Sequence, residues 1–432
     1  MVGMERMTSR RNFIGTLAAG GAAVWAAQWL AACTRAMRHP TVGQAWPGWM
    51  PGEFQVHFIY TGVGESQFLI FPDGTTMLLD CGDHAAHARG EKAVRILPSM
   101  ERHAGEWIAR YVGRVNPNGN DVDYMMLTHF HEDHSGCENY HAGRTQGRAP
   151  DYFLSGFAQA AETLRFKVAI DRGWPDYNDP IPLDEGQSGG SLRNMKALYA
   201  HLARRDGLKV EKFRLGARDQ IVPRRGRADG FEVFNFAANG RLCSPATGEV
   251  TDPYRPYVEK GIRKLNENAM SLGTLFTYGG FTYYTAGDLS SRLNPRTGLQ
   301  IEDLVARIVP KADVAKINHH GHHAMFEPLA KALDARCYVA CIWDQLHCTP
   351  DTMEALEKGP GEHTYFPGII PTIDIRDGKR LPWMEKAAVP CWEGAHTVLT
   401  VRPGGRDYTL TLLSAADEKM TVRGVFEFKS RT

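Results

Sequence analysis

Residues 128–136 read T-H-F-H-E-D-H-S-G and place His129, His131, Asp133 and His134 within six positions. Neutral imidazoles and carboxylates are the side chains that hold zinc-type divalent ions. The run before them, V-D-Y-M-M-L-T from Val122 to Thr128, reads as a buried strand ending in a polar turn. The four side chains therefore stand on a loop at the strand's C-terminal edge, with His129 and His131 projecting to one side. A solvated loop that happens to hold several histidines is the plain alternative. The order of these residues directly after an apolar strand favours a metal-dependent hydrolase.

The remaining composition fits a soluble enzyme. The 432 residues, 43% hydrophobic and 23% charged, suffice for a full core, and one large domain with insertions is the simpler division. A net charge of +1 argues against a general polyanion binder while leaving room for a local patch. Between His201 and Arg227, nine basic residues (Arg204, Arg205, Lys209, Lys212, Arg214, Arg218, Arg224, Arg225, Arg227) stand against Asp206, Glu211 and Asp219. Such a run is either a solvated face or a set of phosphate contacts.

Strand signals lie near Phe54–Ile59, Gln67–Phe71, Thr76–Leu79 and Tyr124–Leu127, with a helix expected after His134. From Asp151 the pattern predicts a strand, a helix and a strand ending at Asp171, with Gly173 and Pro175 turning the chain; a helix capped by Ser191 follows. Phe231–Phe236, Ser271–Tyr278 and Phe281–Thr285 return to strand character, Pro350 opens another helix, and a hairpin across Gly404-Gly405 closes the chain.

H-x-H-x-D-H resembles the signature of the metallo-β-lactamase fold superfamily, and three other segments resemble that family in sequence order. Y-T-G-V-G-E-S-Q-F-L-I-F-P-D-G-T-T-M-L-L-D-C-G-D, Tyr60 to Asp83, is similar to its opening: a hairpin turning at Asp73-Gly74 and a strand ending at Asp80 and Gly82. F-T-Y-Y-T-A-G-D, Phe281 to Asp288, resembles the strand that ends in the metal-bridging aspartate, and V-A-K-I-N-H-H-G-H-H, Val314 to His323, the strand carrying the last histidine ligand. The resemblance runs from about Phe54 to Leu413. It implies an α/β (α+β) fold, a four-layer αββα sandwich with metals at one edge. G-E-S, N-A-M-S-L and H-H-G together resemble one branch, the extracytoplasmic hydrolase domain of competence-type DNA-uptake proteins. The chain departs from that branch at three points. Glu65 stands in G-V-G-E where V-G-Q-G-D is usual, H-H-G continues as H-H-G-H-H, and the long membrane-channel segments do not occur. A role in DNA uptake is therefore not implied.

By this resemblance His129 and His131 hold a first divalent ion, Asp133 and His134 a second, Asp288 bridges both, and either His319 or His320 completes the second site. Two zinc-type ions about 3.5 to 4 Å apart make water a nucleophile near neutral pH. Asp133, with a free oxygen, is also placed to take its proton. A helix N-cap is the other reading of Asp288. The family's third ligand to the first ion is a histidine, and only His141 and His201 lie in the interval. His141 falls on the helix expected after His134 and His201 in an amphipathic pattern, so neither fits. Asp171, at the end of V-A-I-D, is a better-placed oxygen donor, with turn formation as its alternative; an oxygen-richer site would make Mn2+ a rival to Zn2+. His347 in D-Q-L-H-C-T-P corresponds to a histidine before proline in related domains, and either contacts substrate and protonates a leaving group or is a loop residue. His322 and His323 replace a small polar residue and narrow the pocket.

The N-terminus reads as an address. T-S-R-R-N-F-I-G, Thr8 to Gly15, followed by an Ala/Gly-rich apolar run to Ala32, resembles a twin-arginine export signal, and L-A-A-C ending at Cys33 resembles a lipoprotein processing site. On that reading residues 1–33 are the signal, Cys33 carries lipid, residues 34–52 with Pro40, Pro47 and Pro51 form a tether, and 53–432 is the hydrolase domain with an insertion around 140–230. Cleavage after a small-residue motif and an uncleaved anchor remain open, and all three place the body in the cell envelope. Seven cysteines after Cys33 invite disulfides, but Cys337 and Cys341, four apart in a strand, lie beyond bridging distance, and Cys81 and Cys137 read as small buried residues. The expectation is an exported two-metal hydrolase acting on small-molecule or nucleic-acid phosphodiesters. A lactone, β-lactam or other ester or amide hydrolase, or a non-catalytic metal-binding envelope protein, is the alternative. No protein partner is inferable.

Overall fold

Two hairpins seed two sheets. Phe54–Phe58, Ser66–Ile70 and Thr76–Cys81 pair antiparallel. The last of them then runs parallel to Asp121–Met126, which is followed by Arg165–Asp171 and Lys209–Lys212. Ala395–Val401, Asp407–Ser414 and Val422–Lys429 extend the other side to nine strands. The eight-stranded sheet is built on the hairpin Gly273–Tyr278 and Phe281–Thr285, with Phe231–Ala238 on one flank and the parallel strands Val314–Lys316, Cys337–Ala340 and Thr364–Pro367 on the other. The computed structural model describes residues 39–84, 96–138, 149–290, 292–294, 296–344, 347–362, 364–367 and 394–431. The export segment, Cys33 and His141 lie outside the described residues.

Side chains alternate across a strand, and here both faces are covered. Phe54, Val56, Leu79, Met126 and Ile170 of the first sheet meet Phe276, Tyr283, Val314 and Val339 of the second in one core. The first sheet's opposite face, with Phe68, Leu78 and Met125, packs under the helices Ala104–Val115 and Gln187–Asp206. The second sheet's opposite face, with Leu275, Tyr284 and Tyr338, packs under Ile301–Val305, Glu327–Leu333 and Pro350–Glu357. The order helix, sheet, sheet, helix is a four-layer α/β sandwich. The parallel strands of each sheet end at the edge that carries the motif residues, where open α/β sheets bind ligands.

Three local expectations are corrected. The segment from Gly43, read as part of a tether, lies along the fold: Gly43 and Trp46 donate backbone hydrogen bonds to Val422 and Met420, and Trp46 and Trp49 pack against the helix-side core. Two half-buried indole rings outweigh the extended bias of the prolines. The stretch around 140–230 is no excursion either, because it supplies two strands of the first sheet and its longest covering helix. That helix starts at Gln187, so Ser191 sits inside it, its hydroxyl against that of Ser135.

Candidate metal centre

The histidine loop is held by Asp80, at the end of Thr76–Cys81. Its carboxylate accepts the Thr128 N–H and Oγ1–H, each at 2.8 Å, and the His134 Nδ1–H at 2.8 Å. Backbone crosses backbone here: Glu65 N–H donates to the Asp133 carbonyl at 2.8 Å and Gly82 N–H to the Glu65 carbonyl at 3.0 Å. A Cβ on Gly82 would lie 1.8 Å from the Asp133 carbonyl oxygen, so only glycine lets the two loops meet.

Hydrogen bonds fix the imidazoles. His134 Nδ1 donates to Asp80, His320 Nδ1 donates to the Cys341 carbonyl at 2.9 Å, and Thr128 Oγ1, its proton given to Asp80, accepts from His129 Nδ1 at 3.1 Å. The three Nε2 atoms are thereby left with lone pairs pointing inward. His134 Nε2 and His320 Nε2 face each other at 3.2 Å, and His129 Nε2 faces His131 Nδ1 at 3.1 Å. Facing lone pairs repel unless a cation or proton lies between them. Two nitrogens on one tetrahedral zinc are about 3.3 Å apart, from Zn–N bonds of about 2.0–2.1 Å, so the donor set fits a divalent ion.

Two groups of ligand atoms, each within 4.8 Å, share Asp288: Glu65, His134, Asp288 and His320 form one, His129, His131 and Asp288 the other. Asp288 Oδ1 lies 3.1 Å from His134 Nε2, and its Oδ2 lies 3.3 Å from His320 Nε2 and 3.7 Å from His129 Nε2. Asp133 Oδ2 lies 3.1 Å from His320 Nε2. Glu65 belongs to the first group by distance, but its Oε2 is 2.6 Å from Lys316 Nζ, which makes it an ion-pair partner before it is a ligand. Asp133 is the carboxylate that remains for the ion. The first group is buried throughout, whereas His131 in the second is half-buried and opens the site to solvent on that side.

Burial disfavours charge on all these groups. Even so, His134 and His320 hold the Asp133 and Asp288 carboxyls well below the usual carboxylate range. The same carboxylates raise His134 and carry His320 up to about 9. A field that draws protons onto two imidazoles also draws a divalent cation. Burial and the neighbouring His134 push His129 down, which leaves its lone pair free.

The family model described as the metallo-beta-lactamase superfamily matches residues 60–140, from the opening hairpin through the histidine loop. This chain carries a metallo-beta-lactamase superfamily domain. No curated protein matches the chain.

The structure brings together His129, His131, Asp133 and His134 of the matched residues with Asp288 and His320 beyond them. His319, whose Nε2 faces Asn268 Nδ2 at 2.9 Å and lies 4.0 Å from Asp288, stands at the rim. Asp171 stays out of both groups, a correction to its reading as an oxygen donor. One of its oxygens accepts the Gly173 and Trp174 N–H groups at 2.8 Å, and the other accepts the Tyr177 hydroxyl at 3.0 Å. It is a turn residue. His201 packs its ring against Tyr152 on the outer helix. His347 is buried and stacks on the His320 ring at 5.2 Å, with Nδ1 unpartnered among the described residues. The Arg224 and Arg225 end of the basic run lies at the opposite edge of the sheet: Arg225 pairs with Asp123 near the start of its strand, and the Arg224 and Arg225 N–H groups reach Thr75 and Asp73 in the hairpin turn. Seven of the run's nine cations have carboxylate partners. The phosphate-contact reading therefore loses most of its free charge, and at Arg224 and Arg225 its position as well.

Sequence reasoning missed three site residues. Lys316, fully buried, bonds Glu65 and the Gly287 carbonyl at 2.7 Å; a lysine inside the apolar V-A-K-I was the available signal. Glu267 accepts the Phe130 N–H at 3.0 Å, between His129 and His131, and is held by Arg172 at 2.5 and 2.8 Å. No local pattern marks that pair.

Proposed function

We propose that the protein is an exported two-metal hydrolase that acts on phosphodiester or nucleotide substrates. The observation that carries the hydrolase reading is the pair of ligand groups joined by Asp288. Divalent ions there, zinc first and manganese as the alternative, would activate water and polarise the bond it attacks. His129 and His131 would hold one ion, and Asp133, His134 and His320 the other. The chain's own groups would then align the substrate: His347 Nδ1, Asn268 Oδ1 and Trp343 Nε1 are buried and unpartnered among the described residues, so they have hydrogen bonds to give a bound molecule. The phosphodiester preference is supported by the likeness of G-E-S, N-A-M-S-L and H-H-G to the competence-type hydrolase branch. Export is supported by S-R-R-N-F and L-A-A-C.

The test is metal analysis of the purified protein together with turnover of bis(4-nitrophenyl) phosphate, nitrocefin and a lactone. The proposal expects bound metal and cleavage of the phosphodiester alone, and His131→Ala should lower that rate by several orders of magnitude because a two-metal site acts as a unit. Cleavage of nitrocefin or the lactone with phosphodiesters untouched would replace the substrate class. A folded His131→Ala protein of full activity would remove the site assignment.

A further inference from the structure

Resting on the phosphodiesterase reading, we propose that Lys264 and Arg296 form an anion subsite beside the His129 and His131 group, continuous with a slot whose buried wall is apolar and takes an uncharged moiety. The substrate class is then a phosphodiester that carries a second phosphate next to an apolar or aromatic group, as at a 5′-phosphorylated nucleotide end. A cleft of about 290 Å³ opens at His131 and is lined by Lys264, Asn266, Asn294 and Arg296. A slot of about 150 Å³, with Phe130, Ile181, Leu183, Leu265 and Met270 in its wall, adjoins it. The two share Gln187, Lys264, Leu265 and Glu267 and so form one site.

The charge around this site differs from that of the longer basic run. The run between Arg204 and Arg227 is largely neutralised by carboxylates. Lys264 and Arg296 have no carboxylate partner among the described residues; the Arg296 guanidinium donates to the Lys264 carbonyl, at 3.3 Å. The one carboxylate in the cleft wall, Glu267, is already bound by Arg172. Two cations without carboxylate partners, on a wall whose other polar groups are the amides of Gln187, Asn266 and Asn294, His131 and the paired Glu267, present a net positive field on the half-buried side of the metal centre, where a substrate enters. The slot has the opposite character. Its buried cation, Arg172, spends its donors on Glu267, Asn239 and the Asp179 carbonyl, and its other charged residues, Asp184, Arg263 and Lys264, are exposed, so the buried part of the wall, with Phe130, Leu192 and Met270, is apolar. An anion recognised at Lys264 and Arg296 and an uncharged ring in the slot satisfy both halves together.

The experiment compares the metal-loaded full chain with Lys264→Ala, Arg296→Ala and the double variant. The probes are a 5′-phosphorylated thymidine dinucleotide, the same dinucleotide without its 5′-phosphate, and bis(4-nitrophenyl) phosphate. Each cation should contribute a modest, salt-screened contact, so the double variant should raise KM for the phosphorylated dinucleotide about tenfold and flatten its salt dependence. Its kcat, and both parameters for the other two probes, should stay at parent values. Equal KM values for parent and double variant on the phosphorylated dinucleotide overturn the subsite while leaving the phosphodiesterase reading intact. If the parent cleaves no phosphodiester, that reading fails separately, and calorimetric binding of the phosphorylated dinucleotide decides the subsite. About tenfold weaker binding by the double variant sustains it, and unchanged or absent binding overturns it.

Discussion

Glu267→Gln should loosen the metal centre without touching a ligand. The Glu267 carboxylate joins Arg172 at 2.5 and 2.8 Å with side-chain exposures of 9% and 3%, so the pair is desolvated. Removing one charge from a buried pair costs about 3–5 kcal/mol, chiefly because the other charge stays buried. Arg172 keeps Asn239 Oδ1 at 2.7 Å and the Asp179 carbonyl at 3.2 Å, which places the expected loss near the low end, about 3 kcal/mol. Against a typical total of about 5–15 kcal/mol this is a large share, and in a domain of this size it lowers Tm by roughly 5 °C. Because Glu267 accepts the N–H of Phe130, between two ligands, the His129 and His131 group should lose its ion first. Thermal melts and metal analysis of the parent, Glu267→Gln, Arg172→Met and the double variant test this. The cycle should return a coupling of about 1–3 kcal/mol, with metal content falling in Glu267→Gln. Parent-like melting and metal content in Glu267→Gln would refute the positioning role.

Chelation should lower Tm, since an ion present at a hundred times its Kd contributes about 2.7 kcal/mol of stability. In the chelated protein His320, raised from 6.5 to about 9 by Asp288 and Asp133 despite burial, contributes stability that is full below pH 6.5 and lost as pH rises through about 9; a metal-free Tm that climbs over that interval contradicts the cluster's electrostatics. Neutralising Arg224, Arg225 and Arg227 together should leave KM unchanged on every substrate, because this end of the run is remote from the site. It should cost about 1–3 kcal/mol through the Arg225 bonds to Asp123 at 2.8 and 3.0 Å, as read by urea melts, and a raised KM would restore the run as a substrate contact. Arg10→Lys with Arg11→Lys should hold the precursor in the cytoplasm and Cys33→Ala should block lipid labelling; unaltered fractionation and labelling would contradict the export proposal.

The two-sheet architecture was legible where strand ends carry motif residues, because alternation and an Asp-Gly turn are local signals. It was illegible where tertiary packing overrode composition. Residues 43–52 hold two prolines and read as a spacer, yet Trp46 and Trp49 half-bury their rings against the core. The basic run read as either a solvated face or phosphate contacts, and its sequence showed only the near partners such as Asp206 and Asp219: Asp123 is 102 residues from Arg225 and Asp179 is 33 from Lys212. A charge count over a window sees cations and never the carboxylates that fold back onto them.

The metal centre divides along the same line. Its histidine loop is one short segment, and Asp288 and His320 stand at the ends of recognisable strands, so residue type and position sufficed. The choice between His319 and His320 did not follow from sequence, because both occupy left-handed backbone in one tight turn, with φ of 48° and 54°. What separates them is long-range. The Cys341 carbonyl takes the His320 Nδ1 proton and turns Nε2 inward, while Asn268 holds His319 at the rim. Asp171 illustrates the converse: its turn role was readable from the glycine two residues on, and its expected ligand role rested on a gap in the family pattern. That gap remains in the structure as the half-buried side of the His129 and His131 group, where the cleft with Lys264 and Arg296 opens. A centre with fewer protein donors on its open side leaves coordination positions for the substrate there. The unpaired cations are therefore placed where an incoming anion meets the ion least enclosed by protein.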